Sequence, residues 1–194
     1  MANKNPKNII LGKGVFKVDG NLVGLTRDGG KFTVEYENRQ ITADGDRGPV
    51  QGRITRDKAT PKLEINHLEV LTQLDKMHPG IKLDKSSKPG YTVITGTGKI
   101  DDENDYHTVE FNGETKDGRK INIKVERAIN LENLDWELKD KDEIIDTITF
   151  TGTYEENPTD IYDEGWIIEY EDEVKAWEKQ MFQMYLNLLD TSIV

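Results

Sequence analysis

In the stretch KFTVEYEN, Phe32, Val34 and Tyr36 alternate with Thr33, Glu35 and Glu37, and a period of two with one wet face predicts an antiparallel strand. GVFKVDG and NLVGLTRDGG read as shorter strand segments divided at Gly20, and PKLEI as a further strand. It runs into NHLEVLTQLDKMHPG, where Leu68, Leu71, Leu74 and Met77 recur at helical spacing. Asn66 is placed to cap that helix, Glu69 follows three residues on, and His78-Pro79-Gly80 ends it. Strands resume at YTVITGTG, DYHTVEFNG and RKINIKVER, the last two joined across ETKDG, where Asp117-Gly118 is a hairpin signal. DTITFTGTY closes the series with Ile148 and Phe150 on alternate positions. The pattern predicts a mainly β (α+β) fold: an antiparallel β-sandwich or barrel with one flanking helix.

Composition divides the chain. Residues 1–154 hold the β domain, with a long polar loop at 40–60. Residues 155–172 are rich in Asp and Glu, lack Lys and Arg, and read as an acidic linker. Residues 173–194 read as a C-terminal amphipathic helix whose stripe of Val174, Trp177, Met181, Tyr185 and Leu188 is apolar enough to mark an interface.

With 194 residues, 35% hydrophobic and 32% charged, the chain can build one ordinary core. It has no cysteine, which removes disulfides and thiolate chemistry, and the histidines His67, His78 and His107 stand apart from any nucleophile pattern. Asp101, Glu103 and Asp105 are spaced like calcium ligands, but Tyr106 stands where the loop needs glycine and Asn112 where it needs glutamate. The glycine pairs in LGKGV and TGTGK lack phosphate-loop spacing. No catalytic residue, metal site or cofactor is expected, and no enzyme activity. The apolar run near the N-terminus is too short for a signal peptide, and nothing reads as a membrane segment.

The loop ITADGDRGPVQGRITRDKAT is harder to dismiss. Loops beyond roughly 12–15 residues without secondary structure are uncommon in compact domains. Asp44, Asp46, Arg47, Pro49, Arg53 and Arg56 combine turn punctuation with arginine on a molecule of net charge −11. Bidentate arginine pairing with an acidic neighbour would fix the register between subunits, so a shaped assembly arm is expected.

The run from GNLVGLTRDGG through ITADGDRGPVQGR to PKLEINHLEVL resembles the N-terminal half of the tail tube (major tail) proteins of long-tailed bacteriophages, and DTITFTGTYEENPTD is similar to their closing strand. The resemblance covers about residues 14–160. It implies a structural virion protein whose hexameric rings stack into a β-lined conduit for DNA ejection, with the long loop touching a neighbouring subunit or ring. Implied partners are the chain itself, the tail initiator or baseplate, tape measure and tail terminator proteins, and double-stranded DNA passing through an acidic lumen without specific contact. The implied location is the virion tail, after assembly in the host cytoplasm.

In such a wall one strand face would be polar, with Glu35, Glu37, Asn122 and Lys124 as candidate lumen positions, and a face that does not neutralise phosphates would let a duplex pass. The inner tube of a contractile tail, tail-like bacteriocin or type VI-like apparatus is the alternative reading, and a carbohydrate-binding adhesive β-sandwich a second.

Overall fold

The computed structural model describes residues 9–154 and 163–172. Its strands, in chain order, are β1 (Ile10–Val18), β2 (Asn21–Leu22), β3 (Thr26–Gln40), β4 (Ile54–His67), β5 (Ile81–Asp84), β6 (Val93–Gly96), β7 (His107–Thr115), β8 (Lys120–Asn130), β9 (Asp146–Gly152) and β10 (Trp166–Tyr170). A single helical turn, α1 (Leu74–Met77), lies between β4 and β5. Every strand pairing among the described residues is antiparallel. The main sheet runs β2-β1-β7-β8-β9-β4-β3, with β10 also on β8, while β5 and β6 form a separate hairpin. The protein is mainly antiparallel β.

The sheet divides at β8. Ile121–Val125 sit between β7 and β10, whereas Ala128–Asn130 pair with β9. The change comes at a bulge: His107 opposes Ala128 and Val109 opposes Val125, leaving an extra residue on β8, and Arg127 adopts φ 51°. A bulge bends its strand and increases the local twist. β8 can therefore serve two wings of the sheet facing in different directions.

Alternation along the strands builds the core. Phe16 and Val18 of β1, Val109 of β7, Val125 of β8, Ile148 and Phe150 of β9, and Leu63 and Ile65 of β4 all point into one cluster. Phe16 and Phe111 pack with ring centroids 5.1 Å apart. Each fully buried large aliphatic or aromatic side chain stabilises the fold by about 1.5–3 kcal/mol, which accounts for the strand register being set by these positions.

The predicted flanking helix is reduced to α1. Asn66 and His67 do not cap a helix; they end β4, opposite Thr147 and Asp146 of β9. Leu71 is exposed, and Leu74 and Met77 alone of the expected stripe's lower half are buried. Cross-strand pairing of Asn66 and His67 delays the turn, so one helical turn remains before Gly80.

The loop expected over 40–60 is also shorter than its composition suggested. β3 and β4 stay paired to Gln40↔Ile54, past a one-residue bulge at Asp57, so Arg56 and its neighbours are strand residues and the loop is residues 41–53. Within the segment read as acidic linker, Trp166–Tyr170 forms β10, because these apolar residues add to the free edge of β8 while Trp166 packs 6.0 Å from the Phe32 ring. The C-terminal stripe of Val174, Trp177, Met181, Tyr185 and Leu188 lies outside the described residues.

Candidate functional site

β9 accompanies β4 over Lys62–His67. Beyond that point β3 and β4 continue alone, from Val34↔Pro61 to Gln40↔Ile54, as a two-stranded arm. A ribbon without a core beneath it needs support from cross-strand contacts. Glu37 pairs with Lys58 at 3.4 Å, and Arg39 grips Asp57 with two bonds of 2.9 and 3.3 Å. The Arg56 guanidinium lies 3.7 Å from the centroid of the Tyr36 ring and reaches Glu164 at 3.4 Å, which ties the arm to the chain just ahead of β10.

The tip has a defined shape. Asp46 Oδ2 accepts from the Ala43 N–H at 2.7 Å and from Arg53 Nη1 at 3.0 Å, and Ile41 N–H donates to the Arg53 carbonyl at 2.9 Å. The Asp46–Arg53 pair therefore staples the two ends of the loop. Gly45 and Gly52 supply the positive φ values, 89° and 82°, that the turns require.

Of the residues read as an assembly loop, Asp46 and Arg53 act within the tip, and Arg56 sits in the paired ribbon opposite Asn38. Asp44, Arg47 and Pro49 are exposed at the end of the arm. Neither Asp44 nor Arg47 forms an ion pair among the described residues. Arg47 is thus the arginine positioned to meet something else.

The candidate lumen residues sit on the sheet face turned away from the core, on two different wings. Glu35 and Glu37 lie on β3, where Lys62 reaches Glu35 at 2.9 Å. Asn122 and Lys124 lie on β8 opposite Asn112 and Glu110. Lys124 contacts Glu126 at 2.7 Å, and that hydrogen bond, with the charges of Glu126, Glu110 and Glu169, pushes its ammonium pKa up. Each wing carries both signs: Lys58 and Lys62 stand beside Glu37 and Glu35 on β3–β4, and Lys124 stands among Glu110 and Glu169 on β7, β8 and β10.

The histidines are all engaged. His67 Nε2 meets the Val23 carbonyl at 3.0 Å, His78 Nε2 meets Asp146 Oδ2 at 2.7 Å, and His107 Nδ1 meets Asp19 Oδ2 at 2.8 Å. The closely spaced acids after β6 hold a turn: Asp101 accepts from the Glu103 N–H and from Asn104 Nδ2, and Asp105 accepts from the Asp101 and Gly80 N–H groups.

Sequence reasoning overlooked Tyr154, which holds the arm at Ala59, and Glu164, which holds it at Arg56, both from segments distant in sequence; no local pattern marks either. No protein-family model matches the chain, and no curated protein matches it.

Proposed function

We propose that the chain is a self-assembling structural subunit, a tail tube protein whose hexameric rings stack into a conduit for double-stranded DNA in a virion tail. The observation that supports this reading most is the β3–β4 arm. It extends past the sheet, is stiffened by paired charges along its length, and presents a stapled tip with Arg47 exposed. An arm with no core of its own gains from burial against another molecule.

Two further features agree. β3 and β10 each leave one edge unpaired among the described residues, and edges closed around a ring satisfy backbone groups that a monomer leaves to water. On both wings the lysines turned away from the core are set beside glutamates, so a duplex passing along either would meet no continuous basic track to release its counterions.

Size-exclusion chromatography followed by negative-stain microscopy tests the proposal. Rings or tubes are expected at high concentration or with a tail initiator. A protein that stays monomeric at millimolar concentration, with no tubes after nucleation, overturns it.

A further inference from the structure

The β5–β6 hairpin departs from the charge of the rest of the chain. Between residues 76 and 99, Lys76, Lys82, Lys85, Lys88 and Lys99 face a single acid, Asp84, giving a local charge of +4 within a total of −11. Asp84 is held in the turn by the Ser86 and Ser87 N–H groups and the Ser86 hydroxyl, which bring its pKa down to about 2. Lys76 is paired with Asp19, and Lys82 and Lys99 line the cleft beside the acidic turn at 101–105. The exposed turn therefore presents Lys85 and Lys88, with the Lys88 ammonium 3.8 Å from the centroid of the exposed Tyr91 ring.

The strand that leaves this turn, β6, follows the run Tyr91-Thr92-Val93-Ile94-Thr95, whose β-branched and aromatic residues suit a sheet. It pairs only with β5 among the described residues. On the main sheet, β10 likewise pairs only with β8, and its C-terminal end is acidic: Glu169, Glu171 and Asp172 are exposed. Ile167, Ile168 and Tyr170 on the same strand are exposed too. One open strand is followed by acids, and the other is preceded by lysines.

We infer that the free edge of β6 in one copy of this chain adds antiparallel to the free edge of β10 in a second copy. Strand addition supplies the backbone bonds and the charged ends set the direction. Placing Val93 opposite Tyr170 brings Ile94 beside Glu169 and directs the Lys85–Lys88 turn toward the end of β10 that carries Glu171 and Asp172. A parallel arrangement would carry that turn away from these acids. The contact is heterologous, so it propagates from copy to copy. It deepens the proposed assembly by naming one of its contacts, and rests on that reading for its purpose.

The absence of cysteine permits a clean test. Full-length Ile94→Cys and Glu169→Cys proteins, mixed and mildly oxidised at low salt, should give the mixed disulfide dimer at least fivefold over either homodimer. The mixed dimer should fall about tenfold when Lys85→Glu and Lys88→Glu are added, and recover when Glu171→Lys and Asp172→Lys are placed on the partner. Mixed dimers no more frequent than homodimers, indifference to the charge reversals, equal yield from Ile94→Cys with Ile167→Cys, two positions out of the proposed register, or a hairpin that retains duplex DNA instead of a second copy would each overturn the inference. Tubes that form without this cross-link reject the contact and leave the tube reading standing; the cross-link without tubes does the reverse.

Discussion

The phenol of Tyr154 takes the place of a strand beside Ala59, accepting a hydrogen bond from the Ala59 N–H at 3.2 Å and donating to the same residue's carbonyl. β9 has ended by this point, and Ala59 is buried, so these backbone groups would otherwise lack partners at the place where the arm leaves the body.

Tyr154→Phe should therefore lower stability by about 1–2 kcal/mol, the cost of leaving buried backbone groups unpaired, and should speed amide exchange at Ala59 before exchange in β7 or β8 changes. Hydrogen exchange read by NMR or mass spectrometry checks this. Uniform exchange acceleration across the sheet would show that the phenol supports the whole fold and not the arm.

A second buried connection joins α1, β8 and β9. Asn130 donates from Nδ2 to the Met77 carbonyl at 2.9 Å and lies 3.1 Å from His78 Nδ1, while its Oδ1 accepts from the Glu132 N–H at 2.9 Å. These partners fix the amide's orientation, so His78 Nδ1 accepts and Nε2–H donates to Asp146. Asp146→Ala should cost about 2–3 kcal/mol in urea unfolding by stranding a buried donor, and Asp146→Asn, which keeps an acceptor, about half as much.

His67 gives the fold a pH dependence. Burial lowers its pKa below the ordinary value of 6.5, outweighing the Val23 carbonyl and the charges of Asp146 and Glu69. The unfolded chain thus binds a proton in a range where the folded protein does not. Stability should be full above about pH 6.5 and decline as the pH falls from there toward the lowered value. His67→Gln, which can still donate to the Val23 carbonyl, should flatten that decline in melts recorded between pH 5 and 8. An unchanged slope would place the titration elsewhere.

The arm's arginines should separate by role. Arg47→Ala should leave the melting temperature within about 1 °C, as for an exposed charge with no ion pair among the described residues, and reduce tube length or yield in negative-stain images. Arg53→Ala removes the staple to Asp46 and should raise protease sensitivity within residues 41–53 with little change in global stability. Normal tubes from both variants would remove the arm's tip from assembly.

Much of the fold was legible because its strands border a core. KFTVEYEN alternates since Phe32 and Val34 face inward, and DTITFTGTY does so because Ile148 and Phe150 are buried. Residues 54–60 could not be read in that way. Short of the buried Ala59, residues 54–58 are exposed on both faces of the ribbon, so the register there is written in cross-strand charges such as Glu37 with Lys58 and Arg39 with Asp57, which look like loop composition until their partners are known. The helix was over-read for a related reason: Leu68, Leu71, Leu74 and Met77 have the spacing, but the pairing of His67 with Asp146 is a contact between residues far apart in sequence. β10 was hidden by the acids around it. The tip's chemistry was visible in DGDRGPV, whereas the assignment of Arg53 to Asp46 required the turn geometry.

The route by which β4 joins the body has a mechanical consequence. A force applied at the arm's tip pulls along the strand axes, so β4 can move outward only by sliding past β9 across the whole span from Lys62 to His67, with Leu63 and Ile65 dragged from the core in the same step. Bonds loaded in this way share tension and yield together, unlike those of a hairpin opened from its end, which break in succession. The arm is anchored like a tenon in a mortise, and a chain of subunits linked through such arms would resist stretching more strongly than it resists bending.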